Sequence, residues 1–171
     1  MKDHPKITLQ NLNDLLLKAK KRLSVGNRSP QTIVNYLRSV ESLCKYTGIH
    51  PGDTSIDQVT DFIYDLQYNK QRAWRTIKVY TAGLRWYYQH MENNPDFAEQ
   101  IPYPKEVKTL PKVLSRQELN QLFSSCRNLK HRVMFKLVYS SGLRRNELLN
   151  LKIQDIITHD GKYRICINRS K

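Results

Sequence analysis

The chain has 171 residues, enough for one ordinary domain or two small ones, and carries 29 Lys and Arg against 15 Asp and Glu, a net charge of +14. A surface that basic points to a polyanionic partner, usually nucleic acid, with a merely solvated basic surface as the alternative. No run is long and apolar enough to cross a membrane, the opening MKDHPKITLQ lacks the apolar stretch of an export signal, and the three cysteines (Cys44, Cys126 and Cys166) are odd in number and match no metal spacing. These features argue against a membrane span, a disulfide scaffold and a zinc module. They lead us to expect a cytoplasmic protein with no metal and no cofactor.

Leu9, Leu12, Leu16, Ala19 and Leu23 recur at helical spacing over residues 7–23, and the turn Gly26-Asn27 ends that segment. Ser29-Pro30 then starts a second helix: a hydroxyl caps it, and proline takes the first position, where a missing N–H costs nothing. Its inward face is Ile33, Leu37, Val40 and Cys44, and Gly48 ends it. After the loop HPGDTS, a third helix turns Val59, Phe62, Ile63 and Leu66 inward. The fourth, over residues 72–91, is the longest, with Trp74, Ile77, Leu84, Tyr88 and Met91 as its buried stripe. Four amphipathic helices can cover one another's apolar faces, so residues 1–100 read as a self-sufficient helical domain.

Residues 101–112, IPYPKEVKTLPK, hold three prolines and no periodicity, which predicts an extended linker. Residues 1–111 carry 16 basic and 11 acidic groups, and residues 112–171 carry 13 and 4, so over half the excess charge sits in the last third. There Ser115-Arg116-Gln117-Glu118 is a capping box opening a helix with Leu119, Leu122 and Phe123 on its core face. A second helix, with Val133, Met134, Leu137 and Val138, breaks at Gly142, and a short one runs from Arg144 to Leu151. Residues 155–158 and 163–168 read as strands around a His159–Lys162 turn, with Tyr163, Ile165 and Ile167 alternating with Arg164, Cys166 and Asn168. The fold class expected is mainly α: a four-helix domain, then an α+β domain with a short two-stranded element. About 60 residues with so small a sheet are near the lower limit for an independent domain. We therefore expect this second domain, residues 113–171, to be cut off mid-fold.

The chemistry concentrates in Ser140-Ser141-Gly142-Leu143-Arg144-Arg145-Asn146-Glu147-Leu148-Leu149-Asn150-Leu151, followed by Asp155-Ile156. Phosphoryl transfer needs fixed positive donors around a phosphate, and arginine offers a planar fork that never loses its proton. A glycine break just before Arg144 presents it at a helix start, and Glu147, three residues on, shares its face. The segment resembles the first conserved box of tyrosine-type site-specific recombinases, the phage integrase family: a small hydroxyl residue, Gly-Leu-Arg, two variable residues, Glu-Leu, a Leu, and Asp-Ile before the first strand. The resemblance implies that residues 1–100 are a SAM-like core-binding domain and residues 113–171 the start of the catalytic domain. It implies that Arg144 is the first catalytic arginine, that Glu147 orients it, and that Lys171 sits near the place of the lysine acting as general acid on the leaving 5′ oxygen. The competing readings are a surface arginine at a helix end and a frayed terminal lysine.

For the complete enzyme, the resemblance implies cutting and rejoining of double-stranded DNA through a phosphotyrosine intermediate, with self-association on the DNA and no role for a membrane. The family also needs a His-x-x-Arg pair, a further His or Trp and a late tyrosine nucleophile. None of the five histidines here (His4, His50, His90, His131 and His159) is followed by arginine three positions on. The expectation is thus a chain that binds DNA without turnover. An integrase-derived accessory or regulatory DNA-binding protein is the alternative, and a helical protein-interaction module a third class. For the DNA contact itself, the fourth helix offers Arg75, Lys78 and Arg85, with Gln89 one turn further, on the side away from Trp74 and Leu84. Arg38 and Lys45 on the second helix, and Arg145, are further candidates. Solvated charged faces are the bland reading of all of these. Trp74, Trp86, Tyr87 and Tyr88 could suggest a stacking platform, but most of them read as core.

Overall fold

Short polar side chains open four of the five helices in the first part of the chain. Thr8, Ser29, Ser55 and Asn94 each accept a hydrogen bond from the backbone N–H three residues on, at 3.3, 3.2, 3.2 and 3.1 Å. Each bond satisfies a donor the helix itself leaves orphaned. The computed structural model describes residues 6–105, 110 and 113–167, and the chain divides into two units, Met1–Thr109 and Leu110–Lys171. The first unit contains α1 (Leu9–Val25), α2 (Pro30–Thr47), a 3₁₀ turn (Pro51–Asp53), α3 (Ile56–Tyr64) continuing into a π turn (Asp65–Asn69), α4 (Trp74–His90) and α5 (Pro95–Gln100).

The α2–α4 packing is the most extensive helix contact of this unit, and α1 and α5 add to it from α2 and α4 respectively. The core joins Leu12, Leu15, Ala19 and Leu23 of α1 to Val40, Leu43 and Cys44 of α2, Val59, Phe62 and Ile63 of α3, and Ile77, Leu84, Trp86, Tyr87 and Tyr88 of α4. Burial in this apolar setting pushes the Cys44 thiol up to about 12. Tyr88 keeps its hydroxyl satisfied inside the core, donating to the Pro51 carbonyl at 3.0 Å and bonding Thr54. The Tyr87 hydroxyl donates to Glu92 Oε1 at 2.6 Å.

Several expectations shift. The fourth helix begins at Trp74 rather than 72, and α5 is an additional helix. Its signal, Asn94-Pro95, is the same cap-plus-proline pair that marks α2. In α1 the buried phase takes Leu15, while Leu9 is turned to solvent. Trp74 and Met91 are half-buried rather than part of the buried stripe. The expected linker does not start free: Ile101 is fully buried, so the chain remains attached to the first unit there. Residues 106–109, 111 and 112 of that segment lie outside the described residues.

The second unit contains α6 (Arg116–Ser125), α7 (Leu129–Ser141), α8 (Arg145–Leu149), a 3₁₀ turn (Ile153–Asp155), β1 (Ile156–His159) and β2 (Lys162–Ile165). The capping box is formed: Ser115 N–H donates to Glu118 Oε2 at 2.7 Å and Glu118 N–H to Ser115 Oγ at 3.3 Å. The Ser115 backbone and hydroxyl donors hold the Glu118 carboxyl below the usual carboxylate range. β1 and β2 pair antiparallel from Ile156↔Ile165 to His159↔Lys162. Asp160 and Gly161, both at positive φ (50° and 70°), make the two-residue turn whose twist suits a hairpin.

The strands are thus 156–159 and 162–165, one residue off the expected bounds at most ends, and β2 stops before Cys166. Tyr163 and Ile167 are exposed and Ile165 is half-buried. Cys166 is exposed and Cys126 half-buried. Leu143 is the one buried hydrophobic residue of this unit among the described residues, and Leu129, Ile153 and Tyr163 are strongly exposed.

Candidate nucleic-acid interface

Three cations of the first unit are arranged over two aromatic rings. The Arg75 guanidinium stands 5.5 Å from the Trp74 ring centroid and the Lys78 ammonium 5.8 Å from the same ring. Lys78 is also 5.9 Å from the Tyr103 ring, and Arg85 lies 5.1 Å from it on its own account. The order is therefore Arg75, Trp74, Lys78, Tyr103, Arg85. The negative face of each ring attracts the cations beside it, which offsets their mutual repulsion and restricts their long side chains. Arg75 and Lys78 line an open groove with Trp74, Tyr103, Asn35 and Ala82, between α2 and the start of α4. Such a groove combines concentrated positive charge with shape, the two things a phosphate backbone can recognise.

This arrangement alters three readings from the sequence. Arg75 and Lys78 do not point away from Trp74; they lie over it. Arg85 is employed elsewhere: its Nε and Nη2 donate to the Ile101 carbonyl at 3.1 and 2.6 Å, and Nη2 also donates to the Glu99 carbonyl at 3.1 Å. It binds the end of α5, where helix carbonyls lack partners and attract a cation. These bonds give Arg85 a structural role beside the phosphate contact expected of it. Trp74 and Tyr103 were not among the expected site residues. The signal for Trp74 lay in its spacing, one and four residues before Arg75 and Lys78; nothing in sequence brings Tyr103 to them, because α5 must form first.

On α2, Lys45 pairs with Glu41 Oε1 at 2.5 Å, one helical turn away, which neutralises it locally. Arg38 is exposed on the same helix. In the second unit, α7 ends at Gly142 in the left-handed conformation (φ +66°), and its N–H donates to the Val138 carbonyl at 2.9 Å. That reversal buries Leu143 and brings Arg144 to the residue preceding α8. Glu147 then grips Arg144 twice: the Arg144 N–H donates to Oε2 at 2.7 Å and Nη1 to Oε1 at 2.8 Å. The Arg144 side chain is 79% exposed while that of Glu147 is 20% exposed, so the acid is the inner partner and the guanidinium projects outward. Arg145 is exposed beside it, and Lys171 lies outside the described residues. Among the described residues no group of His, Cys, Asp and Glu forms a metal-binding cluster.

Two family descriptions match the chain in series. The phage integrase N-terminal SAM-like domain covers residues 15–95, and the phage integrase family covers residues 112–171, which contain the Arg144–Glu147 pair.

The chain belongs to the phage integrase family of tyrosine recombinases.

Curated members of the family resemble it at the level of sequence. Tyrosine recombinase XerA of Thermococcus kodakarensis is 30% identical over 146 residues, covering 84% of this chain and 50% of that protein. XerC of Bacillus subtilis is 29% identical over 144 residues (76% and 47%), and XerD of Listeria monocytogenes 27% over 146 residues (78% and 49%). The chain spans about half the length of the curated relatives it matches. The crystal structure of a XerA recombinase covers 91% of this chain and 58% of its own at 21% identity, with a TM-score of 0.48. The described residues are mainly α, with one two-stranded antiparallel sheet. No described helix is long and apolar enough to cross a membrane.

Proposed function

We propose that this chain is the DNA-engaging portion of a site-specific tyrosine recombinase, holding double-stranded DNA with its first unit and presenting Arg144 to the scissile phosphate with its second. The observation carrying this reading is the Arg144–Glu147 pair in the integrase-family segment. An outward arginine fixed through both its backbone and its side chain has a head group already ordered before a phosphate arrives. A preordered donor costs little reorganisation when charge builds on the nonbridging oxygens. Glu147 is a positioning residue in this reading, acting through Arg144. Arg75 and Lys78, with Arg38 and Arg145 as outlying contacts, supply the phosphate-binding charge that fixes register on the duplex.

The rest of the reading follows the family. The relatives are named tyrosine recombinases. A protein of that type joins DNA to a tyrosine while the strand is open, and self-association on DNA and the general-acid role of Lys171 belong to the same proposal. The place of action we infer is the cytoplasm, where such DNA lies.

The test is a chimera. Residues 1–171 are joined to the C-terminal half of a Xer relative and offered a nicked suicide duplex. The expected result is a covalent protein–DNA adduct that disappears with Arg144→Ala, weakens strongly with Glu147→Ala, and is accompanied by unchanged duplex binding. An adduct of equal yield with Arg144→Ala would remove Arg144 from the chemistry.

A further inference from the structure

We propose that Asn35 reads an adenine in the major groove of the bound duplex, with Gln31 holding the Asn35 amide in its reading orientation. This rests on the reading of the first unit as a DNA-binding domain. Cations in the groove explain attachment to phosphates but carry no sequence information. A site-specific protein needs in addition a side chain that can match the edge of one base.

Asn35 has the chemistry and the place. It lies on α2, half-buried, in the wall of the groove that Arg75 and Lys78 charge from α4. Phosphate anchors therefore sit on one side of the groove and an amide on the other. An asparagine amide offers one donor end and one acceptor end side by side, which matches the adenine N7 acceptor and N6 amino donor. The complement is balanced: Nδ2 donates to N7, and Oδ1 accepts from the N6 amino group.

Gln31 supplies what a lone asparagine lacks. Its Nε2 donates to Asn35 Oδ1 at 3.1 Å, one helical turn away on the exposed side of α2. That bond uses one lone pair of Oδ1 and leaves the second for adenine. Turning the Asn35 amide alone would set its Nδ2 against the Gln31 Nε2 donor, so the amide turns only if Gln31 turns with it. Ala82 lines the same groove and offers an apolar surface of the kind that accepts a thymine methyl, the other mark of an A·T pair in the major groove.

The test is selection of duplexes from a randomised library by the 171-residue chain, wild type against Asn35→Ala and Gln31→Ala. Both substitutions favour helix, so α2 should persist, and circular dichroism checks this. The wild type is expected to enrich a site with one dominant adenine. Asn35→Ala should lose that one preference, by about tenfold, while keeping the other positions and the salt dependence. Gln31→Ala should blur the same position only. Placing 7-deazaadenine there should weaken the wild type and leave Asn35→Ala unaffected, because only the wild type uses N7. An unchanged enrichment profile in Asn35→Ala, or salt-dependent wild-type binding with no enriched sequence, would overturn the assignment while leaving DNA binding intact. Failure of the wild type to bind duplex at all would overturn the underlying reading and this one with it.

Discussion

Gly83 of α4 lies against Ser39 of α2 with no room for a side chain. A Cβ on Gly83 would fall well inside contact distance of the Ser39 Oγ and 3.0 Å from the Tyr36 Cα. Ser39 is itself fully buried and donates its hydroxyl to the Tyr36 carbonyl at 2.7 Å, so it cannot swing aside freely. The pair leaves no room for a side chain between these two helices at that point.

Gly83→Ala should therefore destabilise the first unit although alanine is the better helix former. The expected net cost is about 1–2 kcal/mol, overpacking outweighing roughly 1 kcal/mol of helix propensity. Adding Ser39→Ala should recover part of the loss, because the clashing hydroxyl is removed. Urea unfolding of the two single variants and the double variant measures the coupling. Additive losses would mean that the two residues do not meet.

Arg85 should behave differently from its neighbours on α4. Arg85→Ala removes the donors to the Ile101 and Glu99 carbonyls and should lower stability by about 2 kcal/mol, the range of charge-assisted hydrogen bonds. Its effect on the salt dependence of DNA binding should be small. Thermal unfolding and binding titrations on the same variant separate the two effects. A variant of normal stability and reduced salt slope would return Arg85 to the DNA interface.

The two units should differ in local stability. α2 and α4 bury side chains from several helices, whereas in the second unit Leu143 is the one buried hydrophobic residue among those described. Sparse burial leaves backbone hydrogen bonds open to water. In hydrogen exchange, amides of α2 and α4 should be protected far longer than those of α7, α8 and the β1–β2 hairpin. Equal protection across both would mean that the second unit is as well packed as the first.

Thiol chemistry offers an independent check of the first core. Cys44 is fully buried with its thiol pushed up to about 12, so almost no reactive thiolate forms near neutral pH. Cys166 is exposed. Alkylation of the native chain followed by peptide mass spectrometry should label Cys166 first and Cys44 only after unfolding. Early labelling of Cys44 would show that the α2 face is not packed as described.

Much of this was legible in the residues, and the exceptions have physical causes. Ser29-Pro30, Gly48, the Ser115–Glu118 box and Gly142 announce helix ends because capping is local chemistry, readable within four residues. Leu9 misleads because a helix of period 3.6 allows two neighbouring phases, and only packing against α2 selects Leu15. The Arg144–Glu147 contact is readable for the same local reason as the caps. Arg85 is not: its partners lie at the end of α5, fourteen and sixteen residues away, and an arginine on an exposed-looking stripe gives no sign of them. Trp74 and Tyr103 escape notice because each, taken alone, looks like core or linker, and their role emerges only when Lys78 stands between their rings.

If the α2–α4 groove holds duplex DNA through ordered cations, the salt dependence of binding reports it. For the 171-residue chain on duplex DNA, neutralising roughly six phosphates predicts a slope of log K against log salt of about −5. The double variant Arg75→Ala/Lys78→Ala should bind more weakly, with its slope reduced by about two units. A slope unchanged by the double substitution, or wild-type binding that does not depend on salt, would rule out Arg75 and Lys78 as the groove's phosphate anchors.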